Sequence, residues 1–267
     1  MTSFYRRIVD IFFHATERFK RKLLFFDAQI EKINHTPFAI NNKTFHPTPE
    51  FNLRERYNIP EDGIITCYLG RLSVEKNVDN ILKAIDLSME ENPKIYGLIV
   101  GDGPDKEKFL NLPLKNSERF IYTGFIPENE LQSHYATSDI FVTPTLNESS
   151  CFTVFEAMTC KVPIITAEYD HDPDIIHKEN AMLVNDVLDF EEIAENITAL
   201  ASDKDFRLTV AENGHSLIAN RTWENHAKKF MMEIEEVMNT KKIDKSKQKA
   251  VQRSKRFWRR YKDVSSS

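Results

Sequence analysis

Two cations and two carboxylates stand out in this sequence by their type and spacing. Arg71 and Lys76 follow the apolar run 64–69, and Glu148 and Glu156 lie eight positions apart in a later segment. Arginine and lysine can neutralise a diphosphate without a metal ion. A carboxylate at the later position could accept hydrogen bonds from ribose hydroxyls, while the earlier one faces whatever the phosphates carry. The four side chains therefore predict a diphosphate site.

The elements that must position these residues are expected from about residue 63 onward, where short β-rich runs alternate with helical patterns. That alternation predicts a parallel sheet built from βαβ units. Strands are expected at 64–69, 95–100, 120–123, 139–143, 162–166 and 181–184. Helices are expected near 78–85, 105–112, 153–159, 190–201 and 206–219, and a last one after Thr222. The predicted fold class is α/β, a doubly wound, Rossmann-like parallel sheet with flanking N- and C-terminal helices.

Ligands of an open parallel sheet bind at the carboxyl ends of its strands. Arg71 and Lys76 follow the first predicted strand, and the turn 101–104, with two glycines, follows the second. Glycine lets the backbone approach a neighbour closely. The amides that open the helix near 152–154 would donate to phosphate oxygens. The diphosphate is therefore expected between these loops.

The two ends of the chain differ from its middle. Residues 4–26 have the spacing of a helix with one Phe-rich face beside six basic side chains, and 37–49 is predicted to be a linker. Packing on the domain is the preferred interpretation of that helix, with a protein partner or an anionic membrane as alternatives. Residues 1–240 carry a net charge of -14, and the basic tail 241–267 carries +9. Such tails are usually solvated, and contact with lipid headgroups is the alternative.

Composition excludes several classes of protein. With 41% hydrophobic and 29% charged residues, the chain is not disordered, collagen-like or a disulfide scaffold. Cys67, Cys151 and Cys160 suit neither a zinc site nor a disulfide framework, and no apolar run is long enough to span a membrane. A cytoplasmic protein is expected, with peripheral membrane contact as a variant. Nucleic acid is not an expected partner, because the body is acidic and lacks a recognition motif.

An ordered series of short motifs runs through the predicted sheet. The motifs are 70–73 with 75–77, 100–104, 123–127, 136–139, and 148–156 followed by Ala157-Met158. In this order they resemble the retaining glycosyltransferases of family 4, which have the two-domain GT-B architecture. The resemblance covers most of the central domain. It implies a hexosyltransferase that transfers a sugar from a UDP- or GDP-linked donor with retention, without an obligatory metal or other cofactor.

The resemblance also implies roles for single residues. Arg71 and Lys76 would hold the donor diphosphate, Glu148 would lie at the donor sugar, Glu156 would bind the ribose, and the backbone at Ile126 would meet the base. The residues expected to act in catalysis are Glu148, Arg71 and Lys76. The residues expected to bind the donor are Gly70, Arg71, Lys76, Gly103, Ile126, Glu148, Cys151, Phe152, Thr153 and Glu156.

The sequence departs from the family pattern at several places. Cys151, Lys161 and the loop 170–174 stand where the family usually has glycine, which is expected to narrow the space near the sugar. Residues 15–48 resemble only the end of the family's N-terminal domain. The predicted organisation is a remnant of that domain with a linker (1–48), a nucleotide-sugar-binding domain (49–240) and a basic tail (241–267).

Two functions remain open at this stage. The first is a glycosyltransferase, or the donor-binding half of one whose acceptor domain comes from a protein partner. The second is a non-catalytic GT-B-like domain that binds a partner protein or a membrane surface. The carboxylates of Asp170, Asp172 and Asp174 beside His171 could also suggest a metal site, but a solvated loop is the preferred interpretation.

Overall fold

The structure is a computed structural model that describes residues 9–146, 152–168 and 172–240. Its strands are β1 (Phe12–His14), β2 (Ile33–His35), β3 (Ile64–Leu69), β4 (Ile95–Val100), β5 (Phe120–Gly124), β6 (Ile140–Thr143), β7 (Ile164–Ala167) and β8 (Met182–Val184). Its α-helices are α1 (Glu17–Phe25), α2 (Leu53–Tyr57), α3 (Val78–Glu91), α4 (Lys106–Leu110), α5 (Glu128–Thr137), α6 (Phe152–Thr159), α7 (Phe190–Ser202), α8 (Lys204–Ile218) and α9 (Trp223–Thr240).

Six of the described strands form one parallel sheet in the order β5-β4-β3-β6-β7-β8. The chain moves outward from β3 to β5 and then returns to place β6 on the other side of β3. The connections therefore diverge between β3 and β6, which is the position where an open α/β sheet forms a ligand crevice. The predicted α/β class and all six predicted strands are confirmed, with boundaries shifted by one or two residues.

Helices cover both faces of this sheet because its strands are apolar on both sides. Ile64 and Tyr68 of β3 pack into the layer of α3, α4 and α7, whereas Ile65 and Cys67 pack into the layer of α2, α5 and α6. Successive side chains of a strand point to opposite faces, so a strand buried on both faces needs a continuous apolar run. The sheet is therefore doubly wound, as predicted.

The predicted N-terminal helix over residues 4–26 is confirmed for 17–25 and wrong for 12–14. Residues 12–14 form β1, which pairs in parallel with β2, and only 17–25 are helical. Thr16 is extended and its hydroxyl accepts from the backbone N–H of Phe19, so the helix starts there. The apolar residues that predicted one continuous helix belong in fact to two elements, the strand β1 and the helix α1. Residues 1–8 lie outside the described residues.

The C-terminal helix α9 packs against this N-terminal unit. Thr222 accepts from the backbone N–H of Asn225, which confirms it as the residue that caps α9. The rings of Phe13 and Phe230 lie 4.3 Å apart, and the amide of Asn34 donates to Glu233 at 3.4 Å. The predicted linker is partly anchored, because the N–H of Ile40 donates to the carbonyl of Arg221 at 2.9 Å.

Candidate functional site

The loop after β3 is held in position by hydrogen bonds to its backbone. The Tyr68 hydroxyl donates to the carbonyl of Arg71 at 2.8 Å, and the N–H of Leu72 donates to the carbonyl of Asp102 at 3.0 Å. Leu72 is buried while Arg71 is exposed. The loop thus fixes its backbone in the fold and presents the guanidinium to solvent at the carboxyl edge of the sheet.

Gly101 and Gly103 allow the loops after β3 and β4 to touch. A Cβ on Gly101 would lie 2.0 Å from the carbonyl oxygen of Gly70, and one on Gly103 would lie 2.2 Å from that of Leu72. Gly101 also has a φ of +133°, which side-chain-bearing residues rarely adopt. The structure thereby brings together Gly70 and Gly103, two of the predicted donor-binding residues.

Asn77 ties the predicted diphosphate loop to the loop after β6. It has a φ of 59°, and its amide nitrogen donates to the carbonyls of Pro144 at 2.9 Å and Val187 at 2.6 Å. The N–H of Leu146 donates in turn to the carbonyl of Glu75 at 3.1 Å. Asn77 was not predicted as a site residue, although asparagine directly before a helix is a signal for left-handed backbone.

Lys76 lies between these anchors. It ends the short 3₁₀ turn Val74–Lys76, and its backbone N–H donates to the carbonyl of Ser73 at 3.1 Å. Its side chain is half-buried, on the same loop as the exposed Arg71. Both predicted cations therefore sit beside the point where the loops after β3 and β6 meet. Hydrogen bonds from its own backbone and from Ser73 lower the pKa of the neighbouring Glu75 carboxyl, and attraction to Arg71 and Lys76 adds to this shift.

Glu156 is held by a partner that sequence reasoning missed. The hydroxyl of Tyr135 on α5 donates to Oε2 of Glu156 at 2.8 Å. Burial raises the pKa of the Glu156 carboxyl, Tyr135 opposes the shift, and nearby Glu128 adds to it. Tyr135 is itself fully buried and meets Phe45 and Phe141 edge to face. Glu156 is thus tied to α5, separately from the loop that carries the cations.

The loop after β5 carries the residue predicted to meet a base. The N–H of Gly101 donates to the carbonyl of Gly124 at 2.9 Å, which joins this loop to the one after β4. Ile126 is buried in the core, and its neighbour Phe125 is exposed. The side chain of Ile126 therefore anchors the loop, and only its backbone remains to contact a ligand.

The start of α6 contains the last predicted donor-binding residues that the structure describes. Phe152 is partly exposed, with its ring 5.0 Å from that of Phe38, and Thr153 is half-buried. Glu148 and Cys151 lie outside the described residues, so the predictions for both remain as they stood.

The acidic loop 170–174, predicted to be solvated, is so only in part within the described residues: Pro173 and Asp174 are exposed and Asp172 is buried. Asp172 is buried and lies 2.5 Å from Nη1 of Arg221, while Asp174 lies 2.6 Å from Nη2. One guanidinium therefore bridges both carboxyl groups in a bidentate arrangement. Asp170 and His171 fall outside the described residues. Within those residues, no cluster of three or more metal-ligating side chains occurs.

Lys161 does not narrow the site as expected. It has a φ of 59° directly beyond the C-terminus of α6, and the N–H of Val162 donates to the carbonyl of Ala157 at 3.0 Å, closing the helix end. Its ammonium pairs with Glu212 at 2.7 Å. Glycine suits this position because of the left-handed backbone conformation. The position follows the C-terminal end of α6, whereas the predicted phosphate contacts are at its N-terminal end.

Among the described residues, no helix has both the length and the apolar composition that a membrane span requires.

Residues 49–217, more than half of the chain, match the family described as Glycosyl transferases group 1. Over 199 residues, the chain is 28% identical to the GDP-mannose-dependent alpha-mannosyltransferase of Corynebacterium glutamicum, covering 74% of this chain and 46% of that protein. It is 26% identical over 196 residues to the sulfoquinovosyl transferase SQD2 of Arabidopsis thaliana, covering 69% and 36% of the two chains. The chain thus spans about half or less of these relatives' length.

Solved structures of glycosyltransferases share the fold. Sucrose-phosphate synthase of Thermosynechococcus elongatus superposes with a TM-score of 0.73 at 20% identity, covering 90% of this chain and 61% of that one. HepE of Anabaena, solved in complex with UDP, gives 0.76 at 15% identity, covering 88% and 66%. The C-terminal domain of the Francisella tularensis protein LpcC gives 0.61 at 25% identity, with 68% of this chain matched to 97% of that domain.

Proposed function

The chain belongs to the group 1 glycosyl transferases of GT-B fold, and on that premise we propose that it binds a UDP- or GDP-linked sugar and transfers the sugar with retention, as the family 4 resemblance implies. The observation that carries the proposal is the meeting of the loops after β3 and β6 where the sheet connections diverge. Arg71 and Lys76 lie on that loop, which Asn77 joins to Pro144 at 2.9 Å. This edge is where a doubly wound sheet holds a ligand.

Arg71 and Lys76 would act on the leaving group. As the bond from the sugar to the diphosphate breaks, negative charge grows on the nucleoside diphosphate, and two fixed cations stabilise it more in the transition state than in the ground state. In this scheme the side-chain cations take the place of a divalent ion. Close backbone approach at Gly70 and Gly103 holds the loop in position, so the cations need not reorganise during the reaction.

Two carboxylates would orient the donor. Glu156 uses Oε2 as the acceptor for Tyr135, and Oε1 is the oxygen that we assign to a ribose hydroxyl. Glu148 is assigned to the donor sugar from the resemblance. Backbone at Ile126 is assigned to the base, and the segment 151–153 to the phosphates.

The binding step is tested by titrating UDP and GDP into the unsubstituted chain and into Arg71→Ala in a calorimeter. Arg71 is exposed, so its removal should leave the fold intact, and we expect at least one nucleotide to bind about tenfold more weakly. Lys94→Ala is the matched control, because Lys94 precedes β4 at the opposite edge of the sheet and pairs with Asp62. Equal binding by Arg71→Ala and the unsubstituted chain would overturn the proposal.

A second candidate function is the donor-binding half of such an enzyme, for which the family match over residues 49–217 is the supporting observation. In this version residues 49–240 bind the donor, residues 1–48 are the end of an acceptor domain, and the remaining acceptor contacts come from a protein partner. A third candidate is a non-catalytic GT-B-like domain that binds a partner protein or a membrane surface. Transfer or hydrolysis of UDP-glucose by the purified chain alone would rule out the non-catalytic role, whereas activity only after a second protein is added would support the split enzyme.

A further inference from the structure

Asn77 lies where three loops at the carboxyl edge of the sheet meet. It ends the loop after β3, and its amide nitrogen donates to the carbonyl of Pro144, in the loop after β6, at 2.9 Å. The same nitrogen donates to the carbonyl of Val187, in the loop after β8, at 2.6 Å. One side chain therefore joins the loops that follow β3, β6 and β8, although β8 is at the edge of the sheet and β3 is near its middle.

The orientation of this amide is determined by its partners. A carbonyl oxygen only accepts hydrogen bonds, so the nitrogen of Asn77 must face Pro144 and Val187. The oxygen of Asn77 accepts in turn from the amide nitrogen of Asn80 at 2.9 Å. Because Asn77 is only 3% exposed, removing its side chain would deprive both carbonyls of a donor that is shielded from water.

The backbone of Asn77 holds the turn that carries Lys76. The N–H of Asn77 donates to the carbonyl of Val74 at 2.9 Å, and its carbonyl accepts from the N–H of Ile81 at 3.1 Å. The first bond closes the 3₁₀ turn Val74–Lys76, and the second begins α3. Lys76 therefore lies directly before a residue that is fixed by both its backbone and its side chain.

Arg71 depends on different contacts. Its carbonyl accepts from the Tyr68 hydroxyl at 2.8 Å, and it lies six positions before Asn77. The two cations of the proposed diphosphate site are therefore held separately, Arg71 by a residue of β3 and Lys76 by Asn77.

We propose that Asn77 is a positioning residue, which fixes Lys76 at the diphosphate by tying its loop to the loops after β6 and β8. This inference rests on the function proposed above and adds to it a residue that acts without touching the nucleotide. A cation that is already held in place loses little freedom when its anion binds. The affinity for a nucleoside diphosphate should therefore depend on Asn77 as well as on Lys76.

The test measures the affinity of UDP and GDP by calorimetry in the full chain. Asn77→Gly removes the amide but keeps a residue that readily adopts a φ of 59°, and we expect the affinity of the nucleotide that binds to fall about tenfold. Asn58→Gly is the matched control, because Asn58 is exposed and has a φ of 55°, at the end of α2 and before β3. It adds the same backbone freedom, and the affinity should not change.

A double-mutant cycle separates positioning from a general loss of stability. If Asn77 acts through Lys76, Asn77→Gly should weaken binding by about twofold or less in a chain that already carries Lys76→Ala. In a chain with Arg71→Ala it should still weaken binding about tenfold. Partial unfolding would reduce binding equally in both backgrounds, so equal losses would overturn the positioning role.

Unchanged affinity in Asn77→Gly would overturn the positioning role and leave the proposed function standing. An unsubstituted chain that binds neither nucleotide would overturn both. Should Asn77→Gly fail to fold, Asn80→Ala takes its place, because it removes the hydrogen bond to the oxygen of Asn77 and keeps Asn77 itself. We then expect a loss of about threefold that is confined to chains with Lys76, and a loss that persists in Lys76→Ala would contradict the proposal.

Discussion

The buried hydroxyl of Tyr135 on α5 donates a hydrogen bond of 2.8 Å to Oε2 of Glu156 on α6. The bond joins two helices on one face of the sheet and fixes the carboxylate that we assign to ribose. Because Tyr135 is packed between Phe45 and Phe141, its hydroxyl has little freedom to turn elsewhere. The orientation of Glu156 is therefore set before any ligand binds.

Tyr135→Phe removes the hydroxyl that donates to Glu156 and keeps the ring. Leaving a mostly buried carboxylate without its donor should lower the free energy of unfolding by about 1–3 kcal/mol at neutral pH, measured by urea denaturation. Tyr122→Phe is the control, because it removes the same hydroxyl from a partly buried tyrosine whose ring stacks on Phe120. An equal loss in both variants would mean that the Glu156 contact has no special weight.

Glu156 should also give stability a measurable dependence on pH. Burial raises the pKa of this carboxyl, so between the ordinary value of 4.5 and the raised one the folded chain keeps a proton that the unfolded chain has lost. The stability that this proton confers is complete below the ordinary pKa and disappears as the pH rises through the raised one. Glu156→Gln does not titrate but still accepts from Tyr135.

The difference in melting temperature, Glu156→Gln minus the unsubstituted chain, should therefore increase as the pH is raised from about 4 to about 8. A matched substitution, Glu118→Gln, changes an exposed acid and should leave the difference in melting temperature flat across this range. A flat difference for Glu156→Gln as well would contradict a raised pKa.

The bridge from Arg221 to two carboxylates predicts an uneven response to substitution. Asp172→Asn should destabilise the fold by about 3–5 kcal/mol in urea denaturation, because it leaves the buried guanidinium without its buried partner. Asp174→Asn is the comparison, since the Asp174 carboxylate is 49% exposed and should contribute at most about 1 kcal/mol. Similar losses of stability in the two variants would contradict a larger contribution from the buried Asp172 than from the exposed Asp174.

Lys161→Gly should be about 1 kcal/mol more stable than Lys161→Ala, because both variants lose the ion pair with Glu212 and only glycine relieves the backbone strain. At a φ of 59° a side chain is strained, and glycine relieves that strain at the cost of greater freedom in the unfolded chain. Lys161→Ala keeps the strain and loses the ion pair with Glu212, so it should be no more stable than the unsubstituted chain. Thermal denaturation of both variants tests this, and UDP or GDP affinity should be unchanged in each.

Substitutions at two glycines distinguish the effect of close packing from the effect of backbone conformation. Gly103→Ala places a Cβ 2.2 Å from the carbonyl oxygen of Leu72, so the loops after β3 and β4 must move apart. Gly124→Ala meets no atom within 4 Å, but its φ of +70° strains a side chain by roughly 1 kcal/mol. We expect Gly103→Ala to weaken nucleotide binding in calorimetry several-fold more than Gly124→Ala. The reverse order would place the ligand away from the contact between Gly103 and Leu72.

Much of the fold was predictable because the central strands are continuous apolar runs between helical patterns. Each of the six strands of the sheet, and the cap at Thr222, was identified from residue type and spacing alone. The error at 12–14 has a physical cause: the aromatic side chains of Phe12 and Phe13 suit a strand, but the partner strand β2 lies about twenty residues away. A local pattern cannot reveal that pairing.

The site was predictable to a lesser degree. Its cations and glycines follow strands, and in a parallel sheet that placement alone brings them to one edge. Tyr135 and Arg221 were not identified, because each acts on a residue more than twenty positions away and nothing in its own neighbourhood reveals the contact.

The sequence by itself determined the α/β class, the motifs of the family and the edge of the sheet where a ligand would bind, since these depend on local apolar runs and on residue type. Only the tertiary structure decided that β6 lies beside β3, that Asn77 joins their two loops, and that the Asp172 side chain is buried in an ion pair with Arg221. Those features depend on contacts between distant segments, whose energies come from packing and burial once the whole chain has folded.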